Sequence, residues 1–512
     1  MKVDFSTSDF LERAAACFPD RVGLVDEPGD AQDGGLGTLT YGQLMERATA
    51  MGAGLDDLGI APGERVAIVS QNSGRFLESF FGVTAWGRVL VPINFRLQPA
   101  EVEYIVAHSG ATTLLVDPEL DEQLKGVKTE RRYLLGKESD DALLRFGVQP
   151  RDWPANEDAT ATINYTSGTT ARPKGVQLTH RNIWVNGMTF GVHAGVNERD
   201  IYLHTLPMFH CNGWGMPFLL AGLGVPQVVL RKVDGTDILT RVRDHEISLL
   251  CAAPAVLAAV LEAAPTWEGE IPGRDRTRVI CAGAPPPNRT IQRVQEELGW
   301  ELIQIYGLTE TSPLLTMNRQ RKEDDGLSSE EKAKRLSRAG QPVIGVRLKL
   351  SDDGEVLARS NVVLEGYWEQ PEESAKALED GWFHTGDGGI IADENYLTIS
   401  DRKKDVIITG GENVSSIEVE DCLFSHPAVA EVAVIGVPSE KWGETIKALV
   451  VLAPGAEANE EDLIKHCKGL LAGYKAPTSV EFREVIPRTA TGKIQKFKLR
   501  EPYWAGLGRQ IN

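Results

Sequence analysis

Short apolar runs alternate along this chain with amphipathic stretches at helical spacing, and that alternation leaves few folds open. From Tyr41 to Leu58, apolar residues recur at Leu44, Met45, Ala48, Met51, Leu55 and Leu58, the pattern of one buried helix face, and Gly59 follows as a stop. Val66-Ala67-Ile68-Val69 reads as a buried strand, Arg75 to Trp86 as a second helix, and Val89-Leu90-Val91-Pro92-Ile93 as the next strand. Strands alternating with helices imply an α/β architecture with parallel sheet. At 512 residues the chain is long enough for at least two domains and a large core.

Three apolar runs end abruptly in loops of unusual chemistry. Thr162 to Tyr165 leads into Thr166-Ser167-Gly168-Thr169-Thr170-Ala171-Arg172-Pro173-Lys174-Gly175. Val279-Ile280-Cys281-Ala282 leads into Gly283-Ala284-Pro285-Pro286-Pro287, and Leu302-Ile303-Gln304-Ile305 into Tyr306-Gly307-Leu308-Thr309-Glu310-Thr311. In open α/β sheets, ligands bind outside the carboxyl ends of the strands, so these loops are expected to converge on one crevice. In the first loop, glycines let backbone N–H groups come close to an anion, and hydroxyls and an ammonium complete the site. That chemistry suits the phosphates of a nucleotide. A flexible Ser/Thr/Gly surface loop has the same composition, and both readings stay open on these residues alone. The run is not a Walker A loop, which requires Ser or Thr after the lysine; Gly175 stands there.

The formal net charge of −19 argues against nucleic acid or anionic membrane as a partner. From Arg402 to the end there are 15 basic and 15 acidic residues, so the surplus acid lies earlier. From Lys465 onward 10 basic residues face 3 acidic ones, either an anion-facing segment or a solvated basic surface. The six cysteines are scattered without metal spacing, as expected of reduced thiols. The N-terminus carries no secretory pattern, and the most apolar stretch, Pro217 to Leu230, is too short for an integral membrane segment. A cytoplasmic protein is the expectation. Arg319 to Arg338 reads as a solvated surface helix or loop.

A second unit begins near Asp401. Asp401-Arg402-Lys403-Lys404-Asp405 is a dense charge cluster, Val406 to Gly411 a strand entering a glycine turn, and Ser415 to Glu418 a capping box opening a helix. Val429 to Val437 and Ala448 to Leu452 read as strands and Asp462 to Leu471 as a helix.

In this order the motifs resemble the adenylate-forming (ANL) superfamily, in its acyl-CoA synthetase or AMP-dependent ligase branch. The resemblance covers essentially the whole chain. It rests on Thr166 to Gly175, Tyr306 to Glu310, Thr385-Gly386-Asp387, Asp401 to Asp405, Gly410-Gly411-Glu412-Asn413, and Pro487-Arg488-Thr489-Ala490-Thr491-Gly492-Lys493. One departure is Ala171, where the family usually has glycine; if φ is positive there, Ala costs on the order of 1 kcal/mol.

The resemblance implies an α/β fold in which packed α/β subdomains form a large N-terminal domain, residues 1–400. A small mobile C-terminal α/β domain, residues 401–512, is hinged at Asp401. It implies a ligase of fatty acid metabolism that joins a carboxylic acid to ATP, releasing pyrophosphate, and then passes the acyl group to CoA. Thr166, Ser167, Gly168, Thr169, Thr170 and Lys174 would hold the β- and γ-phosphates. Glu310, with Thr169, would position Mg²⁺, which prefers oxygen ligands and keeps several waters. Gly283, Ala284 and Pro285 would line the adenine and Tyr306 would stack on it, beside Gly307 and Thr309. Asp387 would accept from the ribose hydroxyls, and Arg402 would contact ribose or phosphate oxygens. Lys493 would bridge the carboxylate and the α-phosphate. His210 would lie near the carboxylate, with Asn212, Trp214, Met216 and Gly307 shaping the acyl pocket. Gly410 and Gly411 would border the pantetheine tunnel and Trp442 would touch the CoA nucleotide, unless it packs the small domain's core.

A His beside a Cys, as at His210-Cys211, raises nucleophilic or metal chemistry. No third ligand or orienting acid is apparent, so both readings are set aside. Three other functions compete: a ligase that loads a carrier-protein thiol, a luciferase-like adenylate oxidase, and a nucleotide-binding regulator with degraded chemistry. The first lacks room for its insertion between Asp387 and Asp401, and the second often ends in Ser-Lys-Leu where this chain ends Arg509-Gln510-Ile511-Asn512. The third is disfavoured by the presence of Lys493, Glu310 and Asp387 together. Bulky Trp214 points to short or medium aliphatic, or compact aryl or cyclic, acids. The oligomeric state is left open, a homodimer being one option.

Overall fold

Strand Val89–Ile93 is apolar along its whole length because both of its faces are covered. It lies inside a seven-stranded sheet. The computed structural model describes residues 1–26, 35–166, 173–402, 405–409, 412–439, 442–489 and 494–505, with the backbone alone of Asp401, Arg402 and Asn413. In the seven-stranded sheet, Thr160–Thr166, Val89–Ile93, Arg65–Val69, Thr113–Val116 and Arg131–Leu134 run parallel. Lys174–Thr179 and Gly366–Tyr367 extend it antiparallel at one edge.

A second, nine-stranded sheet is parallel through Glu301–Gly307, Arg278–Cys281, Leu249–Ala252, Tyr202–His204, Gln227–Val229 and Val22–Asp26. Antiparallel strands close both of its ends. Arg278–Cys281 and Glu301–Gly307 are neighbours running the same way, so the two loops that follow them leave the same edge.

Helix Gly74–Thr84 is buried on every side. Ser73 caps its start by accepting from the Phe76 N–H at 3.2 Å. Phe76, Phe80, Phe81 and Phe218 pack together at its heart, ring centroids 5.4–5.5 Å apart, and each such side chain contributes about 1.5–3 kcal/mol of burial. Helix Tyr41–Asp57 begins with a capping box between Thr40 and Gln43, and the buried Tyr41 hydroxyl donates to Val225 O at 2.6 Å. The charged stretch after Arg319 contains helix Ser329–Leu336.

A four-stranded antiparallel sheet, Arg347–Leu350, Glu355–Arg359, Phe383–Ile391 and Leu397–Arg402, completes the large domain. The chain passes to the small domain's sheet between Arg402 and Ile407. That sheet contains Glu412–Val414, Ile407–Thr409, Gly443–Leu452 and Val429–Ser439, with Ser479–Phe482 parallel to Gly443–Leu452. Ser415 opens helix Ser416–Phe424, its Oγ accepting from the Glu418 N–H at 3.4 Å. A basic helix, Lys496–Trp504, follows position 493 in the C-terminal segment.

Candidate active site

Thr166 ends its strand directly opposite Lys174, the first residue of the returning one. Ser167, Gly168, Thr169 and Thr170 lie outside the described residues. The Lys174 ammonium pairs with the Glu373 carboxylate and sits 5.0 Å above the Tyr367 ring. The hydrogen bond from Lys174, and then its charge, hold the Glu373 carboxyl below its ordinary range. Gly175 accepts the Trp368 N–H at 2.7 Å, and a Cβ on it would stand 2.8 Å from Ile163 Cγ2.

The end of strand Glu301–Gly307 and the turn after it close on this cluster. Tyr306 donates its hydroxyl to Asp387 Oδ2 at 2.8 Å. Gly307 has no room for a side chain, since a Cβ would fall 1.6 Å from Pro313 O. Glu310 Oε1 accepts the Tyr367 hydroxyl at 3.1 Å, and Glu310 O accepts the Leu364 N–H at 2.8 Å. Burial, and then the Glu310 charge, raise the Tyr367 phenol above its usual range, so it is a neutral donor at physiological pH. Tyr367 therefore touches the two residues expected at the phosphates and the metal.

Asp387 is buried and placed by its neighbours. Gly386 takes φ +74°, its N–H donates to Glu355 Oε1 at 2.8 Å, and the Asp387 N–H donates to Thr385 Oγ1 at 3.1 Å. Arg402 stands opposite Asp387 in backbone register. Gly283, at φ +95°, follows strand Arg278–Cys281 with open space beside it, while Ala284 is exposed and Pro285 half-buried.

The segment expected to wall the acyl pocket has a rarer conformation. Cys211, Asn212, Gly213, Trp214 and Gly215 all take positive φ, from +46° to +78°, so the chain makes a left-handed turn. Non-glycine residues there cost on the order of 1–3 kcal/mol each and persist only when the surroundings fix them. Here the surroundings do so. Asn164 Nδ2 donates to Asn212 Oδ1 at 3.0 Å and Asn212 Nδ2 to Thr162 Oγ1 at 2.9 Å. Behind the turn, Asn186 Nδ2 donates to Trp214 O at 3.2 Å. Trp214 and Met216 are buried and His210 half-buried. The Cys211 thiol, pushed up by burial and then by Glu310, contacts Thr309 O at 3.9 Å. Residue 211 thus brings the left-handed turn against the Thr309-Glu310 segment.

The small domain meets this region through Asp421. Its carboxylate accepts from the Asn288 N–H at 3.2 Å and from Asn288 Nδ2 at 2.8 Å, just beyond the Gly283–Pro287 loop, and burial raises its pKa. Trp442 is 47% exposed, so it does not pack the small domain's core. Gly410, Gly411 and Lys493 lie outside the described residues.

The AMP-binding enzyme family model matches residues 11–368, and the AMP-binding enzyme C-terminal domain model matches residues 418–493. The chain belongs to the AMP-binding enzyme family. It falls in the acyl-CoA synthetase branch of the adenylate-forming superfamily. Among relatives of this AMP-binding enzyme, 4-hydroxybutyrate–CoA ligase 2 of Metallosphaera sedula is 36% identical, over 96% of this chain and 93% of its own. A 2-methylpropanoate–CoA ligase of Humulus lupulus is also 36% identical, over 96% and 94%. The anthranilate CoA ligase AuaEII, solved with anthranoyl-AMP, superposes with a TM-score of 0.88 at 27% identity over 98% of both chains.

Four residues that contact the expected site residues carry no motif in the sequence: Tyr367, Glu373, Thr162 and Asn164. Asn164 carried a usable signal. A side-chain amide at an inner position of a strand must find partners when buried. Tyr367 carried none, because its partner Glu310 is 57 positions away.

Proposed function

We infer that this AMP-binding enzyme is an acyl-CoA synthetase: an AMP-forming acid–thiol ligase that uses ATP and CoA. The observation that carries this is the meeting at Thr309-Glu310. On one side stand Tyr367 and Lys174, where phosphates would lie; on the other stands Cys211 of the acyl segment. A carboxylate bound beside the turn would be presented to the α-phosphorus, and proximity of this kind lowers the barrier without new chemistry.

Lys174 would exchange Glu373 for phosphate oxygens. Asp387, aimed by Tyr306, would accept from the ribose. Glu310 suits Mg²⁺: it offers one oxygen-donor carboxylate to an ion that takes its other ligands from phosphate and water. That ion would supply charge neutralisation at the phosphates. Lys493, carried by the small domain, would offset charge on the carboxylate and α-phosphate as the new bond forms. The small domain would then turn about Asp401 to present Gly410 and Gly411 to the incoming thiol, with Trp442 toward CoA. Lys493→Ala tests that division: pyrophosphate exchange should fall about 10²–10³-fold, while CoA transfer to supplied acyl-AMP persists. Equal loss in both half-reactions would remove Lys493 from its role.

The substrate proposed is a short aliphatic acid of about four carbons. Buried Trp214 on a clamped turn supports this, as do the acids in the names of the two relatives. Five buried free thiols support a reducing, cytoplasmic setting. Among the described residues no helix is long and apolar enough to cross a membrane. Incubation with ATP, CoA and a panel of two- to eight-carbon acids, read by mass spectrometry, tests the reading. Acyl-CoA and AMP should form best near four carbons, and a best rate at eight would overturn the size assignment.

A further inference from the structure

Thr162, Asn164 and Asn212 form a closed ring of hydrogen bonds. Thr162 Oγ1 donates to Asn164 Oδ1 at 3.0 Å, Asn164 Nδ2 donates to Asn212 Oδ1 at 3.0 Å, and Asn212 Nδ2 donates back to Thr162 Oγ1 at 2.9 Å. Each member donates to the next in one sense, an arrangement in which each bond polarises the others. All three residues are at most 2% exposed. Thr162 and Asn164 sit two apart on strand Thr160–Thr166, the strand that ends at the phosphate loop. Asn212 lies inside the left-handed turn, two residues before Trp214.

We propose that this ring is a positioning device for acid selectivity: it fixes the wall carrying Trp214 to the nucleotide-side strand, so that pocket depth is set at Thr162 and Asn164, residues that need not touch the acid. The proposal rests on the reading of Cys211 to Trp214 as the acyl-pocket wall. Its physical basis is that the turn is intrinsically unfavourable and needs an outside tether. The same strand positions Thr166, so the tether registers acid against phosphate. Asn164 Nδ2 also reaches Phe209 O at 3.4 Å, holding the entry to the turn as well as its centre. Breaking the ring leaves buried amide groups without partners and lets the turn relax toward ordinary backbone, moving the indole.

The test compares Thr162→Val, which keeps shape and deletes the hydroxyl, with Thr162→Ser, which keeps the hydroxyl, alongside Asn164→Ala. Thermal unfolding establishes that each is folded. The readout is kcat/KM for butanoate and octanoate and, separately, KM for ATP. Thr162→Val and Asn164→Ala should each compress the butanoate-to-octanoate preference about tenfold, the scale of one buried unsatisfied group. The change should appear in KM for the acid, with KM for ATP within about twofold. Thr162→Ser should restore the parent preference. If folded Thr162→Val has a lower Tm but the parent selectivity, the ring is only structural and the proposal fails. Trp214→Ala separates the two layers. If its selectivity is unchanged, the pocket reading falls and the proposal with it; if it changes while Thr162→Val does not, the proposal alone falls.

Discussion

The hydroxyl of Tyr306 donates to Asp387 Oδ2 at 2.8 Å, joining the end of a strand in the nine-stranded sheet to a strand of the antiparallel sheet. Two motifs far apart in sequence are therefore joined, and would act together if both face the nucleotide. Tyr306→Phe deletes a hydrogen bond to a carboxylate while keeping the ring. A bond of that kind contributes about 1.5–3 kcal/mol, so KM for ATP should rise about tenfold or more with a smaller change in kcat. Steady-state kinetics with the acid saturating would show it. An unchanged KM for ATP would mean that the bond does not aim Asp387 at the nucleotide.

Trp214 holds φ at +62° in a buried position. Trp214→Ala should cost about 3–5 kcal/mol and shift preference toward longer acids. Trp214→Gly should be the less damaging of the two, by about 1 kcal/mol, because glycine takes positive φ without strain while alanine keeps the Cβ penalty. Urea unfolding of the pair reads this order. The reverse order would show that the turn relaxes when the indole is lost.

His180 and His204 are buried, and burial pulls both imidazoles down to about 4. The Thr7 N–H donates to His180 Nδ1 at 3.1 Å, a bond that only the neutral ring accepts. The native state therefore resists protonation while the unfolded chain takes up protons below about 6.5. Stability is full above that pH and falls as pH drops toward 4, by about 2 kcal/mol per histidine at pH 5. Urea midpoints at pH 7.5 and pH 5 should differ accordingly, and His204→Gln should flatten part of the slope. A flat profile in the parent would show that neither ring is held neutral.

Much of this architecture is legible in the residues. Leu44 through Leu55 mark one face of a helix that runs from Tyr41 to Asp57, and Val89 to Ile93 is the strand its composition implies. Ser415 does open a helix. Local chemistry decides such features, through periodicity, capping and burial on both faces. Tyr367 is different. It reaches Glu310 only because the two-residue strand Gly366–Tyr367 pairs with Lys174–Thr179, and nothing near position 367 specifies that pairing. The left-handed turn is likewise unreadable in Cys211-Asn212-Gly213-Trp214-Gly215. Two glycines permit it, but buried amides from Asn164 and Asn186 enforce it across the fold.

In acyl-adenylate chemistry a carboxylate oxygen attacks the α-phosphorus of ATP before a thiol displaces AMP. That order is tested most directly with a four-carbon acid carrying ¹⁸O in both carboxylate positions, incubated with ATP, Mg²⁺ and CoA. The expected products are pyrophosphate, acyl-CoA retaining one ¹⁸O, and AMP carrying the other. Unlabelled AMP, or ADP with label in inorganic phosphate, would contradict it.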